Sequence, residues 1–142
     1  MSTKYVDNSD EVLKALEKSI KNGLNKIGLA AVSHATDLTP VDTGYLRNSI
    51  TYAIGGEETH IKKYSADKSK TSGEDVREGT YSGKAPKESD PYVVIGSNVE
   101  YAPIIELGGS GRKAFHMLQR AASEHSDEYK RIMADEMKNA DS

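Results

Sequence analysis

Cysteine is absent from the 142 residues, which excludes disulfides and thiolate metal sites and fits folding in a reducing cytoplasm. Tryptophan is absent too, phenylalanine occurs once, and eight tyrosines make up the other aromatics. Tyrosine suits interfaces that need an apolar body with a polar tip. No stretch approaches the ~20 consecutive apolar residues that cross a bilayer. Met1-Ser2-Thr3-Lys4-Tyr5 lacks the apolar run of a signal peptide, so no membrane partner is expected. Clustered positive charge is also missing. With a net charge of −3 and a pI near 5.8, the chain lacks the Lys and Arg excess with which general nucleic-acid binders displace phosphate counterions. Apolar residues make up 36% and the mean hydropathy is −0.65, which predicts a lean core in a single domain spanning 1–142.

The chain is organised around Thr39-Pro-Val-Asp-Thr-Gly-Tyr-Leu-Arg-Asn-Ser-Ile50. Pro40 cannot continue a helix, Asp42 and Thr43 can bond nearby amides, and Gly44 can take positive φ; a fixed corner is expected. Before it, residues 1–8 read as a loose arm. Val12, Leu16, Ile20, Leu24, Ile27, Ala31 and Leu38 then mark a long amphipathic helix, in which Gly23 and Gly28 predict a bend or a close helix contact. After the corner, Leu46, Ile50, Tyr52 and Ile54 suit a half-buried strand ended by Gly55-Gly56. Residues 57–90 are dominated by charge, Ser, Thr and Gly and cannot repay their chain entropy by burial. They form either a floppy polar loop or an extended hairpin that orders only against a neighbouring subunit, its strands supplied by 59–64 and 79–81. Pro91-Tyr-Val-Val-Ile-Gly96 reads as a central, two-sided strand. Residues 99–107 form a short strand or a helical turn near Pro103, and Arg112 to about Lys138 forms a second long helix.

Asp42-Thr43-Gly44 spells the tripeptide of aspartic proteases, where two carboxylates share a proton. One copy would require a homodimer, and Val94-Ile95-Gly96 resembles the second element of the retroviral type. Against this, Thr39-Pro40-Val41 precedes the tripeptide where an apolar strand belongs, and Tyr45 follows it. Gly108-Gly-Ser-Gly-Arg-Lys113 resembles a phosphate-cradling loop, but Ala114 stands where a P-loop needs Ser or Thr; a flexible hinge is the simpler reading. His34, His60, His116 and His125 show no paired spacing for zinc, so no metal or cofactor is expected. His34 and His125 fall on apolar stripes, as polar positions in a packed or intersubunit seam.

The corner block, followed by Val94-Ile-Gly-Ser-Asn-Val-Glu-Tyr-Ala-Pro103 and Glu106-Leu-Gly108, resembles the minor tail-component family of long-tailed bacteriophages, the neck or tail-completion proteins. Order and separation of the blocks both match. Family members usually continue with a Pro-Phe-Leu-x-Pro-Ala block, whereas Lys113-Ala-Phe-His-Met-Leu-Gln-Arg-Ala-Ala122 keeps the aromatic and the leucine without either proline. That departure bears on how the last helix starts.

The resemblance implies a structural protein without catalysis. It would form a ring, a hexamer, at the head–tail junction of the virion and be assembled in the host cytoplasm. Its partners would be its own copies and the adjacent head-connector or stopper and tail-terminator or tail-tube proteins, with DNA only passing through the lumen. The fold class expected is α+β: a long N-terminal helix, a small mainly antiparallel sheet with a long polar loop or arm, and a C-terminal helix packed on the sheet. The expected subunit interface comprises Pro40, Asp42, Thr43, Gly44, Tyr45, Leu46, Arg47, Tyr101, Pro103, Glu106 and Gly108, with Arg47 pairing to Glu106 or Glu100. A dimeric aspartic protease using Asp42 and a soluble helical adaptor are the alternatives.

Overall fold

The computed structural model describes residues 9–40, 44–57, 60–67, 77–109 and 111–139; the expected arm 1–8 lies outside them, as do Asp42 and Thr43. Helix α1 (Ser9–Leu38) covers 30 residues, about 45 Å at ~1.5 Å per residue. Asp10 and Glu11 fill its first turn, where the macrodipole favours negative charge. At its end the Thr39 hydroxyl donates to Ala35 O at 2.6 Å, and Pro40 halts it. Its buried stripe is built of small residues: Ser19, Gly23, Leu24, Gly28, Ala31 and Ala35. Both glycines mark close approaches. A Cβ at Gly23 would stand 2.6 Å from Met133 Sδ, and one at Gly28 2.6 Å from Tyr52 Cγ.

The apolar start of α1 is uncovered, with Val12 59% and Leu13 53% exposed. Helix α5 (Ser126–Asn139) runs antiparallel to α1, setting Met133 on Gly23 and pairing Glu136 with Lys26. Its described end therefore stops about one turn later, short of Val12.

Residues 46–49, expected as strand, are helical: α2 (Tyr45–Ser49) precedes β1 (Thr51–Ile54). The four-residue step from Leu46 to Ile50 suits a helical turn as well as a strand, and Gly44 at φ 81° sets the turn in place. Strand β1 pairs antiparallel with β4 (Val93–Gly96), Thr51 facing Gly96 and Ile54 facing Val93. β4 is not the central strand its apolar run predicts. Among the described residues it pairs with β1 alone, Ile95 turns towards Ala35, Ile50 and Ala121, and Val94 is 46% exposed.

Strands β2 (His60–Ser65) and β3 (Glu78–Gly83) pair antiparallel as a separate hairpin, the extended form foreseen within 57–90. Its base packs on its own chain. Tyr64 and Ala66 enter the core beside Tyr45 and Leu46, and the Asn48 amide donates to Ser65 O at 2.8 Å and Asp67 Oδ1 at 2.9 Å. The Lys62 ammonium donates to Ile50 O at 2.5 Å, and burial pushes its pKa down.

Residues 102–107 take the helical alternative as α3 (Ala102–Leu107). The second long helix begins at Met117, not Arg112, and is two helices: α4 (Met117–Ser123) and α5, parted at Glu124 and His125. Ser123 to Asp127 offers little apolar surface, while Asp127 and Glu128 favour a fresh N-terminus. Helix α4 packs towards the β1–β4 sheet through Ala121 with Ile50 and Ile95; α5 lies along α1. The architecture is α+β.

Candidate functional site

Two chain segments named together in the expected interface, the corner and the stretch around Pro103, meet in the larger core and form one platform. Tyr45 and Leu46 from α2 are clustered with Ala102 and Ile105 from α3, together with Tyr64, Ala66, Val99 and Met117. Burying the larger aliphatic members, Leu46, Val99, Ile105 and Met117, contributes roughly 1.5–3 kcal/mol each, enough to fix one segment against the other. Gly44 is buried, and a Cβ there would stand 2.7 Å from Asp67 Cγ. The corner thus demands glycine for both its positive φ and the carboxylate against it.

Arg77, at the foot of β3, completes the platform and was hidden in the polar segment. Its guanidinium lies over the Tyr45 ring, 4.3 Å from the centroid, and 5.9 Å from that of Tyr101. It also pairs with Glu100, holding that carboxyl below the usual carboxylate range. Glu100 is therefore committed, and so is Glu106, whose carboxylate accepts the backbone N–H groups of Leu118 and Gln119 at 2.8 and 3.0 Å. Among the described residues of its own chain, Arg47 pairs with neither. Arg47 Nη2 instead stands 3.9 Å from Asp37 Oδ1, with 36% of its side chain exposed.

The remaining interface candidates fall as follows. Pro40 is half-buried and closes α1, Tyr101 precedes α3, and Pro103 is exposed in its first turn. Gly108 caps α3 at φ 81°, its N–H donating to Ile104 O at 2.8 Å. Beyond it, Gly109 and Arg112 exchange backbone bonds at 3.2 and 2.9 Å. This tight turn ends well before Met117, so it does not present its amides at a helix N-terminus as a phosphate loop would. The flanks of Asp42-Thr43 are helical on both sides, α1 before and α2 after, unlike the strand that leads into a protease tripeptide.

On the outer side of the platform three large apolar side chains stay open: Ile104 (38%), Leu107 (70%) and Phe115 (42%). The Phe115 N–H donates to Ile105 O at 2.9 Å, which ties Phe115 to α3. This ridge sits near the C-terminal end of α1, because Thr39 Oγ1 lies 3.2 Å from Met117 Sδ. Val12 and Leu13 stand at the opposite end of that helix.

The histidines, scattered in sequence, do meet in part. His34 and His125 stack with ring centroids 3.5 Å apart, inside the packed α1–α5 seam, and Glu128 joins them. Only the three-residue step from His125 to Glu128 signals this locally. No helix among the described residues is long and apolar enough to cross a membrane.

The family model described as "Bacteriophage HK97-gp10, putative tail-component" matches residues 4–108. That span runs from the start of α1 through the platform to Gly108. Comparison with curated proteins and with solved structures gives no match. With Tyr45 and Leu46 of the first block and Val99, Ala102 and Ile105 of the second folded onto one core and the family model covering most of the chain, this protein belongs to the HK97-gp10-like family of bacteriophage tail components, structural proteins of the virion tail.

Proposed function

We propose that this tail component completes the phage neck: its copies associate head to tail into a closed ring, a hexamer, at the head–tail junction. The ring stands between connector or stopper proteins and the tail-terminator or tail tube, and DNA passes through its lumen. One observation supports this beyond the family. Among the described residues, the exposed large apolar side chains include Val12 and Leu13 near one end of α1 and Ile104, Leu107 and Phe115 near the other, besides Leu29, Ile61 and Val94 elsewhere. A two-fold dimer needs one self-complementary surface, whereas a head-to-tail contact that closes by rotation needs two different ones. Arg47, weakly engaged within its own chain, is the charge such a contact would use.

The test is mass by light scattering, for the purified protein alone and mixed with tail-tube or connector proteins of the same phage. A closed ring in the mixture, lost in Leu107→Asp, is expected, and Arg47→Ala should reduce the yield of completed particles. A species of unchanged mass in every mixture, or normal tailed particles from both variants, would overturn the reading.

A further inference from the structure

The seam between α1 and α5 gathers three metal-ligating side chains that no local motif joins. His34 stands on α1, His125 at the break before α5, and Glu128 in the first turn of α5. Their donor atoms all lie within 4.8 Å of one another. His34 Nε2 is 2.8 Å and His125 Nδ1 3.6 Å from the same carboxylate oxygen, Glu128 Oε2. In a tetrahedral site with bonds of about 2.0–2.1 Å, neighbouring donors stand roughly 3.3 Å apart. The two distances bracket that spacing.

We propose that His34, His125 and Glu128 bind a divalent cation of the zinc class and that the ion clips α5 onto α1. Two imidazoles and one carboxylate form a zinc donor set, with water free to take the fourth position. Access is open, since the His34, His125 and Glu128 side chains are 23%, 34% and 45% exposed. The imidazole planes lie within 2° of parallel, so their in-plane lone pairs run side by side. One ring must turn about its Cβ–Cγ bond for both to converge on one ion. His125, the more exposed ring and placed at a helix break, is the one that turns. Tyr129 backs the pair, its ring centroid 6.2 Å from that of His34 and 6.4 Å from that of His125. Its hydroxyl donates to Ala121 O, which makes it a buttress and not a ligand.

The seam gains from such an ion because, among the described residues, no α5 side chain belongs to either buried apolar cluster. Glu136 is buried but spent on Lys26, and Met133 rests on a glycine. An ion shared by His34 and Glu128 ties together residues 94 apart. It binds the folded chain in preference to the unfolded one and so stabilises the fold by mass action. The inference concerns residues beyond the matched span 4–108 as well as within it, and stands or falls independently of ring assembly.

The experiment uses the untagged full chain, stripped with EDTA and titrated with zinc chloride near neutral pH by calorimetry, followed by thermal unfolding. The expected result is one ion per chain with micromolar or tighter affinity. At a hundredfold excess over Kd, zinc should raise Tm by roughly 5–10 °C, reversibly with EDTA. His34→Gln and Glu128→Gln should each weaken binding beyond the roughly 10–100-fold that loss of an outer-shell partner costs, while His60→Gln leaves it unchanged. Should the seam variants unfold, zinc protection of His34 and His125 from diethyl pyrocarbonate in the wild-type chain, read by peptide mass, decides instead. No binding, binding indifferent to His34→Gln, or no protection of these two histidines would each overturn the proposal.

Discussion

The Glu106 carboxylate caps a helix to which it does not belong: Oε2 accepts the Leu118 N–H at 2.8 Å and Oε1 the Gln119 N–H at 3.0 Å. Helix α4 has no side-chain cap of its own, because His116 before it sits in the left-handed region at φ 48°. The carboxylate from α3 takes that place, and negative charge there also meets the helix dipole favourably.

Removing that carboxylate strands two amides at the start of α4. Glu106→Ala should cost about 0.5–2 kcal/mol, the range for loss of a helix N-cap, since one of the two amides is open to water. Glu106→Gln keeps one acceptor and loses the charge, so it should fall between the alanine variant and the wild type. Urea unfolding of the three proteins checks the order, and an alanine variant as stable as the wild type would show the cap to be idle.

The two glycines of α1 should answer differently to the same substitution. Alanine gains up to about 1 kcal/mol of helix propensity at either. At Gly28 the new Cβ meets the rigid Tyr52 ring, 2.6 Å from Cγ and 2.9 Å from Cε2, so Gly28→Ala should be destabilising by roughly 1–3 kcal/mol, as overpacking is. At Gly23 it meets the flexible end of Met133, which can swing aside. Gly23→Ala should therefore lie near neutral, and Tyr52→Leu should rescue much of the Gly28→Ala loss. Equal Tm changes at the two sites would refute the distinction.

What the sequence made legible is what local chemistry decides. The period of α1, the stop at Pro40, the turn at Gly44 and both strands of the hairpin follow from neighbours a few residues apart. Leu46 to Ile50 was ambiguous because a four-residue apolar step fits helix and strand alike, and only the packing of Tyr45 and Leu46 on Ala102 and Ile105 selects the helix. The break at Glu124–His125 interrupts a three- and four-residue rhythm that otherwise runs unbroken from Phe115 to Glu136. Arg77 carried no signal, since its place over Tyr45 depends on how the hairpin folds back. His34 and His125 lay too far apart for any spacing rule, and the antiparallel course of α5 on α1 brings them into register. Asp42 and Thr43, singled out for the corner, lie outside the described residues.

Tyr64 gives the fold an alkaline limit. Its hydroxyl donates to Asn98 Oδ1 at 2.5 Å. Burial, together with the neighbouring Tyr45 hydroxyl, pushes the phenol up from 10.0 to about 12. The unfolded chain releases this proton near pH 10, whereas the folded chain holds it to about pH 12. The resulting stabilisation is complete below pH 10 and is lost as the pH climbs through that window; it is on the order of 1–3 kcal/mol. Tyr64→Phe loses the bond to Asn98, at about 1 kcal/mol near pH 8, but has no proton there to surrender. Urea unfolding from pH 8 to 12 should therefore show the gap between wild type and Tyr64→Phe constant to about pH 10 and closing above it. A gap that stays constant to pH 12 would mean that the folded phenol ionises as freely as the unfolded one.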